Sequence, residues 1–506
     1  AVVITFSEAL DKATITSQSV QIIDGDKLID GELSYAGDKV TFTPAEPFAL
    51  LAEYSVKVGT SITDVEGAAL LAEYTASFTT RDGGWSVDDA ASGAIYVLPD
   101  TLSVTQAGDV LVAWSVQGIP GAYCPTSARW FNGGAPKAAT KVFTPQQGIT
   151  ECTQVAAAAN AAGVGAVAWQ EDYNKEYVEQ YRESKWPANV GMAKTLFINS
   201  RLFGLGVAPS GAVLFLQHGI VSGTYARRTS ETGTWLDGTP EIAGAREGLS
   251  SPRMAFDANG NGFAAWRAAK TGFDEVVVAA LTASAGLQPA STLPGSPASS
   301  TDAGNERGAP AIAVDNDGGA MALWLREGAG SGALVSSRYT TAGGWEAPVG
   351  LSGTLTIANI LDAPGLVFDG TNYVAAWTGK DGANHYVYSA TFDMEFGEWS
   401  SYELRTSAPV LARMPGLGVD GRGNLLMTWL QSQNADQAAI MYARFDARAG
   451  EWSDATAVPG GIVKDDIIAS QLPTPLGVGV SGHAAVIWGD ENAQGALSKV
   501  RLASFY

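Results

Sequence analysis

The chain has 506 residues, of which 46% are hydrophobic and 16% charged, and its net charge at pH 7 is −21. Nucleic-acid binders need a basic surface that displaces phosphate counterions, so this charge argues against nucleic acid as a partner. No run of about 18 apolar residues is present, which argues against a membrane-spanning helix. The 59 glycines favour short strands joined by tight turns, because glycine adopts backbone angles that other residues avoid.

Residues 1–81 have the pattern of short strands separated by polar turns. β-branched and aromatic residues are concentrated in runs bounded by Gly, Asp or Pro, such as Asp38–Pro44 and Glu53–Gly59. No segment keeps a helical period beyond two turns. The sequence therefore predicts a β-sandwich as the first domain.

Four segments of this domain carry a family resemblance: Ile4–Ile15, Val40–Val58, Ile62–Leu70 and Ser77–Thr80. In this order they resemble the bacterial immunoglobulin-like (Ig-like) family, whose members serve as spacers or adhesive stalk units. Family members begin with one further strand, whereas Ala1 directly precedes the strand at Val2–Phe6. The resemblance thus implies an unpaired sheet edge and an apolar groove. The first strand is disordered, trimmed, or supplied by a neighbouring molecule, and the last case gives self-association through this edge.

Residues 82–506 contain an internal repeat, a short strand that ends in a landmark tryptophan. The landmarks are spaced from 46 residues, between Trp169 and Phe215, to 59 residues, between Trp429 and Trp488. Such spacing suits the four-stranded blade of a β-propeller. We expect the landmarks to pack between blades at Trp114, Trp169, Phe215, Trp266, Trp324, Trp377, Trp429 and Trp488. The copy at Phe215 is degenerate. Counting it gives eight blades, which is the favoured number, and leaving it out gives seven, which is the alternative.

The ends of the repeat region predict how the propeller closes. A second motif, glycine–X–tryptophan, follows most landmarks and marks the turn into the outermost strand of each blade, as at Trp345 and Trp399. The chain ends at Tyr506, before the last repeat reaches this strand, while Trp85 has the motif without a blade of its own. We therefore predict that a strand near residues 83–92 completes the last blade and removes both free edges.

Two cysteines, Cys124 and Cys152, are separated by 28 positions in loop-like segments. A disulfide between them would remove about 3 kcal/mol of unfolded-state entropy, and buried free thiols are the alternative. A disulfide would indicate an oxidising compartment, in keeping with an extracellular or cell-surface location.

Hairpin turns such as Asp257–Gly262 precede the landmark strands. Their Asn-Gly and Asp-Gly pairs suit turns with positive φ. Asp257, Asn259 and Asn261 also alternate as calcium ligands do, but the acidic residues are too few for a full coordination shell. Turn chemistry is the favoured interpretation, so we predict no cofactor, with calcium as the alternative.

No catalytic constellation is found. His218, His385 and His483 lie in different repeats, without metal-ligand spacing, and we expect His218 and His483 to be surface residues. Nucleophile elbows, Walker loops, HExxH helices and sialidase-type Ser-x-Asp-x-Gly-x-Thr-Trp boxes are absent from the sequence. The sequence thus assigns no catalytic, cofactor or metal residue.

Two further features are candidate interaction sites. Acidic residues follow the landmark strands at similar places: Glu171, Asp172, Glu327, Asp381, Asp490 and Glu491. We expect them on one face of the propeller, as a solvated ring or as a rim suited to cations or sugars. The longest insertion, Glu171–Pro187, is predicted to form a short helix or a long hairpin. Its candidate partner contacts are Tyr173, Tyr177, Tyr181 and Trp186.

The sequence thus predicts an all-β protein with an Ig-like β-sandwich over residues 1–81 and a β-propeller over residues 82–506. The main functional prediction is a non-catalytic extracellular protein of a bacterium, structural or adhesive, and its stronger version is a protein that assembles into fibres by strand donation to the Ig-like module. The alternative is a carbohydrate-active enzyme, either a glycoside hydrolase or a polysaccharide lyase, or a glycan-binding propeller. The fold alone supports no enzyme assignment, because propellers host many functions.

Overall fold

The computed structural model describes residues 1–92 and most of residues 95–506. Outside the described residues lie 93–94, 97–101, 106–107, 117–125, 133–134, 137–139, 142–151, 161, 172–174, 183–184, 187–199, 220–222, 237–240, 244–249, 251, 271–272, 284–285, 296–308, 327–332, 352–362, 382, 407–410, 435–436, 465–475 and 492–496. Two compact units are present, Ala1–Gly84 with Ser481–His483 and Tyr506, and Trp85–Val480 with Ala484–Phe505. Within the described part of the chain, no helix is long and apolar enough to cross a membrane.

The first unit is a sandwich of two antiparallel sheets. Its strands are β1 (Val2–Thr5), β2 (Val20–Asp24), β3 (Lys27–Leu28), β4 (Gly31–Ala36), β5 (Lys39–Pro44), β6 (Glu53–Val58) and β7 (Tyr74–Thr79), with a 3-10 turn at Lys12–Thr14. One sheet has the order β1-β5-β4 and the other the order β3-β2-β6-β7. Alternate residues of β5 and β6, among them Phe42 and Tyr54, are buried between the sheets, as expected when one face of a strand packs on a core.

The second unit contains eight successive antiparallel sheets among the described residues, which we number in chain order. Sheets 1 to 4 comprise β9 (Ile95–Tyr96), β10 (Leu102–Val104), β11 (Val110–Val116), β12 (Thr126–Asn132), β13 (Ala135–Pro136), β14 (Thr140–Lys141); β15 (Cys152–Ala159), β16 (Gly165–Glu171), β17 (Lys175–Tyr181); β18 (Ser200–Val207), β19 (Val213–Gly219), β20 (Gly223–Arg228), β21 (Glu241–Ala243); and β22 (Arg253–Phe256), β23 (Gly262–Lys270), β24 (Phe273–Thr282), β25 (Gly286–Leu287), β26 (Ser291–Thr292).

Sheets 5 to 8 repeat this plan. They comprise β27 (Ala311–Val314), β28 (Ala320–Arg326), β29 (Ala333–Thr340), β30 (Gly344–Trp345), β31 (Val349–Gly350); β32 (Gly365–Phe368), β33 (Tyr373–Asp381), β34 (Asn384–Asp393), β35 (Glu398–Trp399), β36 (Glu403–Leu404); β37 (Ala412–Val419), β38 (Leu425–Ser432), β39 (Gln437–Asp446), β40 (Glu451–Trp452), β41 (Thr456–Lys464); and β42 (Leu476–Val478), β43 (Ala484–Glu491), β44 (Leu497–Phe505) with β8 (Trp85–Ser92).

The sheets are arranged in a ring. The strands β10, β15, β18, β22, β27, β32, β37 and β42 each contact the next one, and β42 contacts β10. A separate apolar cluster also fills the space between each sheet and the next, including sheets 8 and 1. This cyclic packing confirms the all-β propeller that the repeats predicted.

The landmark residues lie in these inter-sheet clusters. Each of the eight belongs to the cluster shared with the preceding sheet, and each is at most 5% exposed. A large aromatic side chain buries about 150–250 Å², so the landmarks supply much of the area that joins one sheet to the next. In sheet 3, Phe215 takes the same place with a smaller ring.

The ring closes as the sequence predicted. β8 pairs with β44 over the whole of its length, with Trp85 opposite Phe505 and Ser92 opposite Lys499. Asp89 lies 2.9 Å from Lys499 Nζ and 2.6 Å from an Arg501 nitrogen, and these cations lower the pKa of its carboxyl. An early strand thus completes the sheet built by the last strands and pairs the outer edge of β44.

Candidate functional site

One face of the ring collects charged residues from distant parts of the sequence. The sheets repeat one strand order around the ring, so equivalent strands run in the same direction. The ends of the eight second strands therefore lie together on one face. The last residues of these strands are Val116, Glu171, Gly219, Lys270, Arg326, Asp381, Ser432 and Glu491. Five of them carry a charge, and we call this side the charged face.

The acids that the sequence singled out lie partly on this face. Glu171, Asp381 and Glu491 end second strands, and Asp490 directly precedes the last of these. Asp172 and Glu327 lie outside the described residues. Because Lys270 and Arg326 take equivalent places, the face carries charges of both signs rather than an acidic rim. The sequence reading missed the two cations because it counted only acids.

On the opposite side, which we call the turn face, aspartate carboxylates stabilise the backbone of tight turns. The Oδ1 atoms of Asp257, Asp315, Asp369 and Asp420 each accept two backbone N–H hydrogen bonds, at 2.7 to 3.0 Å, within the turn between the first and second strands. A glycine with positive φ completes such turns, for example Gly260 at +80°. Among the described residues, no group of three or more His, Cys, Asp or Glu side chains is placed to hold a metal ion.

A buried polar cluster underlies the charged face on both sides of sheet 4, with His218 beside Trp266 on the side of sheet 3 and Arg267 on the side of sheet 5. We define it by six residues that are all at least nine-tenths buried: His218, Thr224, Ser250, Arg267, Asp274 and Glu275. Arg267 Nε lies 3.5 Å from Asp274 Oδ2, and Thr292 Oγ1 donates to Glu275 Oε2 at 3.2 Å. The hydroxyl of Ser250 accepts from the backbone N–H of Arg267 at 3.0 Å. We did not predict this cluster from the sequence.

His218 is a buried, neutral member of the polar cluster. Its Nδ1 lies 2.7 Å from Thr224 Oγ1 and its Nε2 lies 3.1 Å from the carbonyl oxygen of Ser250. Burial lowers its pKa from 6.5 to about 4, because the charged imidazolium is poorly solvated there, although the bond to Ser250 opposes the shift. The expectation of a surface role for His218 is therefore wrong.

Two other predicted surface features are buried. His483 is 4% exposed, and its ring packs 5.1 Å from Tyr506, so it is not a solvated turn residue. The segment read as an insertion is an ordinary hairpin, because β17 is the third strand of sheet 2. Its Tyr181 is buried 4.9 Å from Trp130, so the prediction of a partner contact is wrong for this residue.

The other residues that the sequence singled out lie in several different places. Trp186 is half-buried and packs 5.2 Å from Tyr181. Tyr177 lies in β17, opposite Trp169, and Tyr173 lies outside the described residues. His385 lies at the start of β34. Cys152 begins β15, but Cys124 lies outside the described residues, so the disulfide stays a prediction.

The Ig-like unit has an open groove of about 740 Å³ between its edge strands β1 and β7. Its lining is largely apolar and includes Ile4, Phe6, Phe48, Val56 and Phe78. The structure thus has the open edge that the resemblance implied. Self-association through this edge stays a prediction and is no part of the function proposed below.

Comparison with known proteins agrees with the Ig-like unit. The family model described as bacterial Ig-like domain matches residues 1–80. Comparison with curated proteins gives no match.

Several solved structures are similar to the chain at low identity. A lectin from Burkholderia pseudomallei is 13% identical, with 74% of this chain and 99% of the lectin covered and a TM-score of 0.43. A polysaccharide lyase is 9% identical, with 71% and 91% covered and a TM-score of 0.42. An intramolecular trans-sialidase from Ruminococcus gnavus is 10% identical, with 72% and 96% covered and a TM-score of 0.38.

These neighbours correct the main functional prediction. They are a lectin, a lyase and a trans-sialidase, whereas the sequence was read as a non-catalytic structural or adhesive protein that forms fibres. Because each TM-score lies below 0.5, none of these structures assigns a substrate or a reaction to this chain.

Proposed function

We propose that this chain is an extracellular, glycan-binding protein of a bacterium, built on an eight-bladed β-propeller that binds uncharged glycans on its charged face. The closed circle of contacts through eight described sheets supports the blade count. The match of residues 1–80 to a bacterial Ig-like domain supports a location at or beyond the cell surface.

The contrast between the two faces carries the proposal. On the turn face, the carboxylates of Asp257, Asp315, Asp369 and Asp420 are consumed by backbone N–H groups of their own turns. On the charged face, five of the eight second strands end in an ionic residue. Ionic residues that the strand ends of a rigid scaffold bring to one face are typical of a binding site. Carboxylates, lysines and arginines hydrogen-bond sugar hydroxyls well, as acceptors and as donors.

The charge balance selects the class of glycan. The protein carries −21 in total, and the ends of the second strands carry three acids and two bases. Sialosides and uronates carry carboxylates, which such a surface repels. An uncharged oligosaccharide has no such penalty, so we propose it as the ligand class.

Turnover is the second candidate function. Glycoside hydrolases use two carboxylates about 5–10 Å apart, and three acids, Glu171, Asp381 and Glu491, end second strands on the proposed face. Release of reducing sugar from a bound glycan, abolished by Glu171→Gln or Asp381→Asn, would make the protein an enzyme. Binding without release would leave it a lectin.

The test is a panel of neutral, sialylated and uronate oligosaccharides, with affinities measured by titration calorimetry on the full chain. We expect binding of neutral members, weakened at least tenfold by the triple variant Glu171→Gln, Asp381→Asn, Glu491→Gln. The matched control is Glu395→Gln, Glu398→Gln, Glu451→Gln, three exposed acids near the turn face. Absence of binding across the panel, or equal loss in both triple variants, would refute the proposal.

We also propose that the hairpin turns bind no calcium. Asp257 Oδ1 accepts hydrogen bonds from the backbone N–H groups of Asn259 and Asn261, at 2.9 and 2.8 Å. Asp257 would be the first ligand of a calcium-binding loop, and one of its two carboxylate oxygens is therefore already occupied. Millimolar calcium and a chelator should therefore give the same unfolding temperature. A rise of several degrees with calcium would contradict this.

A further inference from the structure

The polar cluster puts a charged residue at a place where three other sheets have leucine and the remaining four have Ser115, Gln170, Thr378 and Gly489. The residue directly after the landmark is Leu216 in sheet 3, Leu325 in sheet 5 and Leu430 in sheet 7, and each is buried in an inter-sheet cluster. In sheet 4 the same place is taken by Arg267, which is 1% exposed and paired with Asp274.

Sheet 7 provides the apolar counterpart of both partners. In the strand register, Asp274 lies opposite Ala269, three positions after Trp266. Ala438 lies opposite Ser432, three positions after Trp429. The pair Leu430 and Ala438 therefore occupies the places that Arg267 and Asp274 occupy in sheet 4. One scaffold thus packs this position with apolar side chains in one sheet and with an ion pair in another.

The ion pair is a poor choice for stability alone. Removing two charges from water costs several kcal/mol per ion, and replacement of a buried pair by well-packed apolar residues is often neutral or stabilising. Since Leu430 and Ala438 show that the fold accepts the apolar choice, the charges in sheet 4 have a role other than holding the ring together.

The location of the cluster indicates that role. Arg267 lies near the end of β23 and Asp274 near the start of β24, so their pairing spans the hairpin that opens on the charged face. Ser250 joins this hairpin to sheet 3, because its hydroxyl accepts from Arg267 N–H and its carbonyl oxygen lies 3.1 Å from His218 Nε2. That link uses the backbone N–H of Arg267, whereas the ion pair of the side chains joins β23 to β24 on the side that faces sheet 5.

We propose that the glycan site is centred on sheet 4 rather than repeated around the ring, and that Arg267 and Asp274 are positioning residues for it. They hold the β23–β24 hairpin in the geometry that binds glycan, without contacting the ligand themselves. The inference rests on the function proposed above and adds where the ligand binds and which buried groups prepare the site.

The test is the double variant Arg267→Leu, Asp274→Ala, which installs the residue pair of sheet 7 and leaves the net charge unchanged. We expect its unfolding temperature to equal or exceed that of the wild type, and its affinity for the best neutral oligosaccharide of the panel to fall at least tenfold. The single variant Arg267→Leu should unfold at a lower temperature, since it leaves Asp274 buried without its cation.

The matched control is a second buried ion pair, on the turn face. Arg444 lies 3.2 Å from Asp420, and the variant Arg444→Leu, Asp420→Asn is also neutral in charge. Asparagine preserves the turn, because Asn160 makes the same two backbone contacts in sheet 2. Glycan affinity should be unchanged in this control.

The outcomes separate the two proposals. A wild type that binds no glycan refutes the proposed function, and this inference with it. A wild type that binds glycan, beside a folded Arg267→Leu, Asp274→Ala variant of equal affinity, refutes the positioning role alone. Should that variant unfold, hydrogen exchange of the wild type decides: glycan should protect residues 267–275 and not residues 430–438, and the reverse pattern overturns the inference.

Discussion

Trp85 and Phe505 face each other across the last strand pair of the ring, with their ring centroids 5.0 Å apart. They are separated by nearly the whole chain, so the ring closes only when the two ends of the unit meet. Tyr442 of sheet 7 packs against Trp85 at 5.4 Å, which ties the closing strand to the preceding sheet.

The first prediction concerns this closure. Trp85→Ala should lower the free energy of unfolding by about 3 kcal/mol, because it removes aromatic packing on two sheets at once. Urea unfolding followed by far-UV circular dichroism measures the change. Phe396→Ala is the control, since Phe396 is 74% exposed and its loss should cost no more than about 0.5 kcal/mol. Equal effects of the two variants would contradict the closure.

The second prediction concerns the landmark positions. Trp377 is fully buried between sheets 5 and 6, so Trp377→Ala should destabilise the protein by about 3–5 kcal/mol. Trp377→Phe copies the arrangement of sheet 3 at Phe215 and should cost clearly less. The same unfolding measurement ranks the variants, and a Phe variant as unstable as the Ala variant would speak against the equivalence of the two positions.

The ring could be predicted because its causes are local in sequence. Landmark residues such as Trp324 and Trp377 recur at nearly constant spacing, and turn residues such as Gly318 and Gly370 adopt positive φ where the pattern requires it. The closing strand was predictable because Trp85 carries a fourth-strand motif with no blade of its own.

The polar cluster could not be predicted in the same way. Whether Arg267 is buried depends on its register against β24 and on the side chains of a neighbouring sheet, which one sequence does not reveal. The segment that contains β17 was predicted to be an insertion, with a short helix or a long hairpin as its alternatives, for a related reason. Its polar residues hide the alternation that marks a strand, although Val178 and Tyr181 are buried.

The third prediction is a pH dependence of stability from His218. Its pKa is about 4 in the folded protein and near 6.5 when unfolded, so between these values the unfolded state binds more protons. This contribution to stability is complete above pH 6.5 and is lost as the pH falls toward 4, by about 3 kcal/mol. His218→Gln should flatten the curve of unfolding free energy against pH in this window. A variant with the slope of the wild type would contradict the assignment.

The fourth prediction is the disulfide between Cys124 and Cys152. Protein denatured without reductant should lack the mass of two thiol hydrogens, and one cross-linked peptide should join the two segments on proteolysis. Reductant should then lower the free energy of unfolding by about 3 kcal/mol, since it releases the constraint on the unfolded chain. Quantitative alkylation of both thiols in the purified protein would disprove the bond.

The fifth prediction tests the central claim, that the charged face binds uncharged glycan. A neutral oligosaccharide that binds the full chain is given a photoreactive group, irradiated on the protein, and the labelled peptides are located by mass spectrometry. The account predicts label at the ends of second strands and the starts of third strands, concentrated near Lys270. Label concentrated at the turns around Asp315 and Asp369, or on the Ig-like unit, would contradict it.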